Sequence, residues 1–196
     1  MILESAAVAP FFKNGFVIGC DRTRAAVLID PGDEVEQLLT VVETGRLKVL
    51  AILLTHAHVD HVSGVAQAKR VLGVPIHLHR DDLFLYEQAA AHGRQFGLQV
   101  EQPPPVDVFY EGKGPFSLGD YDVFVHHTPG HCPGGVCLQI GRRGSEGQDL
   151  FVGDTLFAGS IGRTDLPGGD YETLLQSITG VLYGFGDAAR VHPGHG

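Results

Sequence analysis

The sequence predicts an α+β fold in which two β-sheets form a layered sandwich with helices outside. Strand-like apolar runs outnumber helical segments, and the helices are interspersed among the strands instead of alternating strictly with them. No linker, low-complexity tract or repeat divides the chain, so residues 1–196 are expected to form one domain. The predicted strands cover residues 16–19, 25–30, 49–55, 75–79, 106–110, 121–128, 135–141, 149–153 and 189–193.

Helical periodicity is found in four segments between these strands. Asp33 is placed to cap the first helix, and Glu36 stands where a capping box requires it. The second helix is expected over residues 61–72, the third after Asp81 and the fourth after Asp170. The first three are expected to end at Gly45, Gly73 and near Gly93.

The composition fits a globular enzyme. With 196 residues and 43% hydrophobic content, the chain is long enough to bury a sizeable core. No run approaches the roughly 18 apolar residues of a membrane span, and the N-terminus does not resemble a signal peptide. Three cysteines are too few, and odd in number, for a disulfide scaffold. We therefore expect a cytoplasmic enzyme.

The charge distribution argues against nucleic acid as a partner. The chain has 14 basic and 23 acidic residues, a net charge of −9, and no Lys/Arg cluster long enough to follow a phosphate backbone. Without a membrane segment or a basic surface, the expected partner is a small-molecule substrate. Many of the 27 glycines adjoin histidine or aspartate, and such loops let the backbone approach a site closely.

The segment "THAHVDH" (55–61) contains four side chains that can bind metal. An apolar strand delivers it to a sheet edge, and residues two apart in an extended chain point the same way. His56 and His58 can therefore bind one metal ion together. Asp60 and His61 lie where the chain turns into a helix, and can face a second ion.

Further ligand candidates follow other predicted strands. "TPGH" offers His131, "VGDT" offers Asp154 and "HPGHG" offers His195, each beside a glycine. All the candidates are nitrogen or oxygen donors, unlike the thiolate-rich sites of structural zinc, which favours an open catalytic site for two metals. The remaining histidines on strand patterns are interpreted as core or surface residues: His77, His79, His126 and His127.

The ordered set "THAHVDH", "TPGH", "VGDT" and "PGHG", preceded by "LIDPG", closely resembles the metallo-β-lactamase superfamily over essentially the whole chain. The resemblance implies a four-layer αββα sandwich with the metal site at one edge, between the sheets. It also implies that Asp30 is a buried acid that does not bind the metal itself but orients one of its ligands. The implied ligands are His56, His58 and His131 for the first metal, Asp60, His61 and His195 for the second, and Asp154 as a bridge.

The segment "GDTLFAGSIGRTDLPGGD" (153–170) resembles the short, single-domain relatives of glyoxalase II, the hydroxyacylglutathione hydrolases. This implies a thioesterase that cleaves S-lactoylglutathione or a related acyl-thioester with a metal-bridging hydroxide, oriented by Asp60. Zinc is the expected metal, with iron or manganese as alternatives, since imidazole and carboxylate suit all three. The lactamase branches fit less well, because His61 and Asp154 depart from their patterns.

"GRTD" is also shared with the persulfide dioxygenases, which hold a single iron. That iron would be bound by His56, His131 and Asp154, so the dioxygenase remains an alternative.

Substrate binding is expected to be loose. Arg163 could contact a substrate carboxylate or brace its loop through Asp165, which stands where glyoxalase II has an aromatic residue. The abrupt end at Gly196 suggests that a short tail is missing. With fewer distant contacts, less binding energy is available to hold the glutathione portion.

Overall fold

Two stacked β-sheets form the centre of the protein in the computed structural model, which describes residues 1–110, 115–145 and 147–196. The strands of the first sheet adjoin in chain order: β1 (Ile2–Ala6), β2 (Gly15–Gly19), β3 (Ala25–Ile29), β4 (Lys48–Leu53), β5 (Ile76–Leu78) and β6 (Val108–Phe109). The second sheet contains β7 (Phe116–Leu118), β8 (Tyr121–His127), β9 (Val136–Arg142) and β10 (Gln148–Gly153). The chain then forms a separate two-stranded ribbon of β11 (Leu156–Phe157) and β12 (Ser160–Ile161) before β13 (Arg190–Pro193), which is the last strand of the second sheet. Its spatial order is β13-β10-β9-β8-β7.

The helices cover the outer faces of both sheets. Short 3-10 turns at Arg80–Asp82 and Leu182–Phe185 accompany them. The helices are α1 (Val35–Thr44), α2 (Val59–Val62), α3 (Val65–Leu72), α4 (Leu83–Glu87), α5 (Ala89–Gln95) and α6 (Tyr171–Gly180).

Strand alternation creates the layers. On β3, Val27 and Ile29 face the second sheet, whereas Ala26 and Leu28 face the helices on the other side. One apolar cluster lies between the first sheet and α1, α3, α4 and α5, a second lies between the sheets, and a third joins the second sheet to α6. The predicted four-layer αββα sandwich is therefore confirmed.

Parallel pairing brings several strand ends to one edge. β3 pairs with β4 and β4 with β5 in parallel, and β10 pairs with β13 in parallel. The loops that carry the candidate ligands follow β4, β8, β10 and β13. The topology thus places these loops where the two sheets face each other.

The second predicted helix is divided in two. Residues 61–72 were expected as one helix, but α2 ends at Val62 and α3 begins at Val65. The break lies at Gly64, where an added Cβ would overlap the Gly32 carbonyl and lie 2.7 Å from Val35 Cβ. Close packing against the loop before α1 therefore requires glycine here. Gly73, with φ of 66°, ends α3 as predicted.

The capping predictions differ in outcome. The helix predicted after Asp170 is α6, and Asp170 caps it by accepting a hydrogen bond from the Thr173 N–H at 2.7 Å. The capping box on α1 was wrong, since Glu34 is the N-cap residue and makes no side-chain cap hydrogen bond. Asp33 instead accepts a hydrogen bond from Ser63 Oγ at 2.6 Å. The predicted third helix forms two short helices, α4 and α5. Strands β1, β7, β11 and β12 were not predicted.

Within the described ranges, no helix combines the length and apolar character needed to cross a membrane.

Candidate metal centre

The side chains predicted as metal ligands meet at one edge of the sandwich. His56 and His58 lie in the loop after β4, and α2 carries the next two candidates. The loops after β8, β10 and β13 supply the remaining three: His131, Asp154 and His195. Residues far apart in the sequence are therefore brought together by the ends of four strands.

Three histidines form the first cluster. Ligand atoms of His56, His58 and His131 lie within 4.8 Å of one another. His58 Nδ1 faces His131 Nε2 at 2.8 Å. His56 and His131 are almost completely buried, with 1% and 4% of their surface exposed. This cluster offers three nitrogen donors in a largely water-free setting.

A carboxylate and two histidines form the second cluster. Ligand atoms of Asp60, His61 and His195 also lie within 4.8 Å of one another. His195 Nε2 is 3.1 Å from Asp60 Oδ2, and His61 Nε2 is 3.7 Å from the same oxygen. The His195 side chain retains 30% of its exposure, so this cluster is the more open of the two.

Asp154 lies between the clusters. Its Oδ1 is 3.3 Å from His61 Nε2, and its Oδ2 is 3.6 Å from His131 Nε2. The second oxygen is also 3.5 Å from His195 Nε2. One carboxylate therefore reaches histidines of both clusters, as a bridging ligand must.

Hydrogen bonds behind the site orient two of its rings. Asp30 Oδ2 lies 3.0 Å from His61 Nδ1 and accepts the Thr55 hydroxyl proton at 2.5 Å. Thr55 Oγ1 in turn lies 3.1 Å from His56 Nδ1. Because these oxygens accept hydrogen bonds from the Nδ1–H groups, the Nε2 atoms of both rings point into the site. Asp30 adopts a left-handed backbone with φ of 48°, which is uncommon outside glycine and occurs at functional sites.

Backbone carbonyls orient two further rings in the same way. His131 Nδ1 donates to the Arg163 carbonyl at 2.8 Å, and His195 Nδ1 donates to the Phe11 carbonyl at 3.2 Å. Their Nε2 atoms therefore also face the site. His58 differs, because it presents Nδ1 to the other rings.

Burial keeps the first cluster neutral. It lowers the pKa of His56 well below its usual range, and the neighbouring histidines lower it further. Burial and the adjacent His131 lower the pKa of His58 to about 3. Burial also lowers the pKa of His131, against the opposing effect of Asp154. Neutral rings at pH 7 have the lone pairs that metal binding requires.

The second cluster is strongly polarised. Burial alone would lower the pKa of His61, but the carboxylates of Asp60 and Asp154 outweigh it and raise that pKa to about 10. Burial would raise the pKa of both carboxyls, yet His61 and His195 hold them below their usual range. The two carboxylates therefore favour positive charge at the position of His61.

The unsatisfied polar atoms fit bound metal. In the described part of the chain, the buried side-chain atoms without a hydrogen-bond partner are His56 Nε2, His58 Nε2, His61 Nε2 and Asp154 Oδ1. Buried polar atoms are rarely left without partners, and all four belong to residues of the predicted ligand set. Three of them, His56 Nε2, His61 Nε2 and Asp154 Oδ1, are on the side of the residue that faces the clusters, whereas His58 faces its cluster with Nδ1. The donor set of imidazole and carboxylate therefore matches a divalent metal.

Sequence reasoning did not identify Asp82 as part of the site. Its buried carboxylate accepts hydrogen bonds from Ala57 N at 3.0 Å and Gly134 N at 2.6 Å, and from the Cys132 thiol at 3.1 Å. It therefore connects the loop of His56 and His58 with the loop of His131. Burial raises its pKa, against the effect of these hydrogen bonds.

The contacts that hold His195 in place were also not predicted. Lys13 pairs with His195 in an isolated β-bridge, and Asn14 Nδ2 donates to the Pro193 carbonyl at 3.1 Å. Lys13 is 2% exposed and its ammonium donates to Glu34 Oε1 at 2.6 Å. A buried ion pair thus anchors the segment that holds the last candidate ligand.

Two polar residues near the site have partners of their own. Arg163 makes a two-pronged ion pair with Asp165, with both N–O distances at 2.7 Å. His192 Nε2 lies 2.8 Å from Asp149 Oδ1, outside the two clusters. The structure therefore shows the loop-bracing arrangement of Arg163.

Comparison with known proteins agrees with this geometry. A protein family described as "Metallo-beta-lactamase superfamily" matches the chain over residues 8–195. The chain belongs to the metallo-β-lactamase superfamily. Among curated proteins of the superfamily, the hydroxyacylglutathione hydrolase GloC of Haemophilus influenzae is 38% identical over 203 residues, which span 100% of this chain and 91% of GloC.

Solved structures of the superfamily show the same fold. The structure of TTHA1623 in a di-iron-bound form is 42% identical, with a TM-score of 0.82, and the match covers 98% of this chain and 92% of that one. The BLEG-1 B3 metallo-β-lactamase is 34% identical, with a TM-score of 0.87, and covers 100% and 92% of the two chains.

Proposed function

We propose that the protein is a binuclear metallohydrolase of the glyoxalase II type, which cleaves S-lactoylglutathione or a related acyl-thioester. The observation that carries the proposal is the complete second cluster of Asp60, His61 and His195, joined to the first cluster by Asp154. A single-metal dioxygenase does not need that cluster. Similarity to GloC along the whole chain supports a glutathione thioester as the substrate.

Two divalent metal ions are proposed as cofactors, with zinc preferred to iron or manganese. When bound, they supply a Lewis acid for the thioester carbonyl and lower the pKa of a water molecule toward 7. The proposed ligands are His56, His58 and His131 for one ion, Asp60, His61 and His195 for the other, and Asp154 for both.

Residues of the chain prepare the site for this chemistry. Asp30 and the Arg163 carbonyl hold Nδ1–H of His61 and His131, so that Nε2 stays directed at the metal positions. Asp60 Oδ2 lies at the more open cluster, where it would accept a hydrogen bond from the attacking water and orient it.

The leaving group needs little help. Water gives up one proton as its oxygen bonds to the carbonyl carbon, the C–S bond breaks and the thiol portion leaves as thiolate, and the carboxylic acid formed then loses the second proton to solvent. A thiol pKa near 8.5 makes thiolate a good leaving group, so a strong general acid is less necessary than for an amide. A site whose titratable groups are largely proposed metal ligands suits this reaction.

The test is an assay of the purified, metal-loaded protein with and without oxygen. We expect S-lactoylglutathione to be hydrolysed equally under both conditions, with free thiol appearing as substrate is lost. Oxygen uptake in proportion to glutathione persulfide, without thioesterase activity, would establish the dioxygenase instead. Cleavage of a β-lactam with no action on thioesters would assign the protein to the lactamases.

A further inference from the structure

A separate group of metal-binding side chains lies where β5 and β8 end. His79 directly follows β5, His127 is the last residue of β8, and Asp81 lies in the 3-10 turn after β5. One ligand atom from each lies within 4.8 Å of the others. We infer that these three residues form a second, exposed binding site for a transition-metal ion that favours imidazole, such as zinc, copper or nickel.

The two imidazoles are contributed by different sheets. His79 and His127 stack with ring centroids 4.1 Å apart and an angle of 9° between their planes. Stacking brings two nitrogen donors together at the surface, where Asp81 and His127 are exposed. Binding of one ion by both rings requires a turn about χ2 that directs the two lone pairs to the same point, with water completing the coordination.

Hydrogen bonding determines which nitrogen each ring offers. His127 Nε2 donates to the Pro133 carbonyl at 2.8 Å, so its Nδ1 carries the lone pair. A carbonyl that accepts the other ring N–H is the usual support of a metal-binding histidine. His79 Nδ1 accepts a hydrogen bond from the Asp81 N–H at 3.3 Å, so this nitrogen carries a lone pair, and a bound ion would take the place of that N–H. The same nitrogen lies 3.8 Å from Asp81 Oδ2.

The charge state of His79 is also suitable. Burial of its ring and the adjacent His127 lower the pKa of His79, with a smaller opposing effect from Asp81. A neutral imidazole at pH 7 can bind a metal without first losing a proton. Two imidazoles and one carboxylate form a donor set that suits zinc, copper and nickel.

The site is distinct from the candidate metal centre but connected to it. The buried Asp82 carboxylate follows Asp81 directly and contacts the loop of His131. Pro133, whose carbonyl accepts the hydrogen bond from His127 Nε2, lies two residues after His131. A metal ion held by residues of both sheets would therefore link the sheets beside the loop that carries a candidate ligand.

The stoichiometry of bound metal tests this inference. The full-length protein is dialysed to equilibrium against micromolar zinc, and bound zinc per chain is measured by elemental analysis. We expect the wild type to bind one zinc ion more than His127→Ala, His79→Ala or Asp81→Asn. The matched control is His126→Ala, a neighbouring histidine whose Nε2 contacts Gln139 Oε1 at 2.7 Å, and it should bind as much zinc as the wild type.

A second background separates this site from the candidate metal centre. In a His56→Ala protein, adding His127→Ala should still remove one zinc ion per chain. Zinc should also raise the unfolding temperature of the His56→Ala protein by several degrees more than that of the double variant, because the ligands join two sheets. Equal zinc content in the wild type and in a folded His127→Ala variant, checked by circular dichroism, would overturn the inference.

Discussion

Asp154 is a candidate ligand whose carboxylate reaches histidines of both clusters. We therefore expect Asp154→Ala to lower metal occupancy at both positions and to reduce thioester hydrolysis by at least about 100-fold, since bridging coordination and water activation depend on it. Elemental analysis after dialysis measures the occupancy. Asp187→Ala, at an exposed position, is the control. Two tightly bound ions per Asp154→Ala chain would contradict the bridging role.

Asp30 acts on the site through His61. Asparagine tolerates the left-handed backbone at this position, so Asp30→Asn should fold while losing the negative charge beside His61 Nδ1. Partners of this kind typically contribute about 10–100-fold to metal affinity, and we expect a loss of that size at the second cluster. Competition with a chelator measures it. Unchanged affinity for both ions would show that the Asp30 charge has no part in orienting His61.

At the scale of elements, the loops after β4 and β8 are joined by Asp82. Asp82→Asn keeps the size of the side chain but replaces an acceptor oxygen by a donor. It should therefore destabilise the fold by about 1–3 kcal/mol, because one buried partner loses its hydrogen bond. Metal affinity at His56, His58 and His131 should fall as well, whereas Glu87→Gln on α4 should change neither. Chemical denaturation and chelator competition are the measurements, and a loss of stability without a loss of affinity would limit Asp82 to a structural role.

Local patterns made part of this site predictable. In "THAHVDH", the alternation of an extended chain and the turn into a helix depend on neighbouring residues, so the separation into His56 with His58 and Asp60 with His61 could be predicted. Asp82 could not be identified in this way, since its partners Ala57 and Gly134 are 25 and 52 residues away in the sequence. In sequence terms, "RDD" only suggests the start of a helix.

The same distinction holds for the fold. Core strands such as β3 and β4 are continuous apolar runs, and their prediction was confirmed to within two residues at either end. The interruption between α2 and α3 arises from contact of Gly64 with the loop before α1, which is a tertiary constraint without a local signal. Edge strand β1 was missed because Glu4 and Ser5 interrupt its apolar pattern.

At the scale of the whole molecule, an ion pair between β10 and β13 makes stability depend on pH. Burial would raise the pKa of Asp149, but Arg190 and His192 outweigh it and lower that pKa below its ordinary value of 3.8. A lowered carboxyl pKa stabilises the fold above about pH 3.8, and this contribution is lost as the pH falls through the folded-state value. Asp149→Asn should therefore be less stable than the wild type at pH 7, with the difference shrinking toward pH 2. Urea unfolding at several pH values measures this, and a constant difference would contradict it.

Substrate range is also a property of the whole molecule. Arg163 is paired with Asp165 and is 61% exposed, and such solvent-exposed pairs contribute little to stability. Arg163→Ala should therefore lower kcat/KM for S-lactoylglutathione by less than about tenfold, and thioesters with truncated thiol portions should remain substrates. A several-thousand-fold preference for intact glutathione, measured as a ratio of kcat/KM values, would disprove loose binding.

The contact between Phe11 and His195 also affects the order in which the two clusters form during folding. Its partners are 184 residues apart in the sequence, so this pairing closes one of the longest loops in the chain and is expected to form late. His56 and His58 belong to one short segment and can approach each other much earlier. The second cluster is complete only after residues 11–14 have met the loop after β13. Capture of a second metal ion should therefore follow folding, so that a partly folded chain holds one ion loosely and remains inactive.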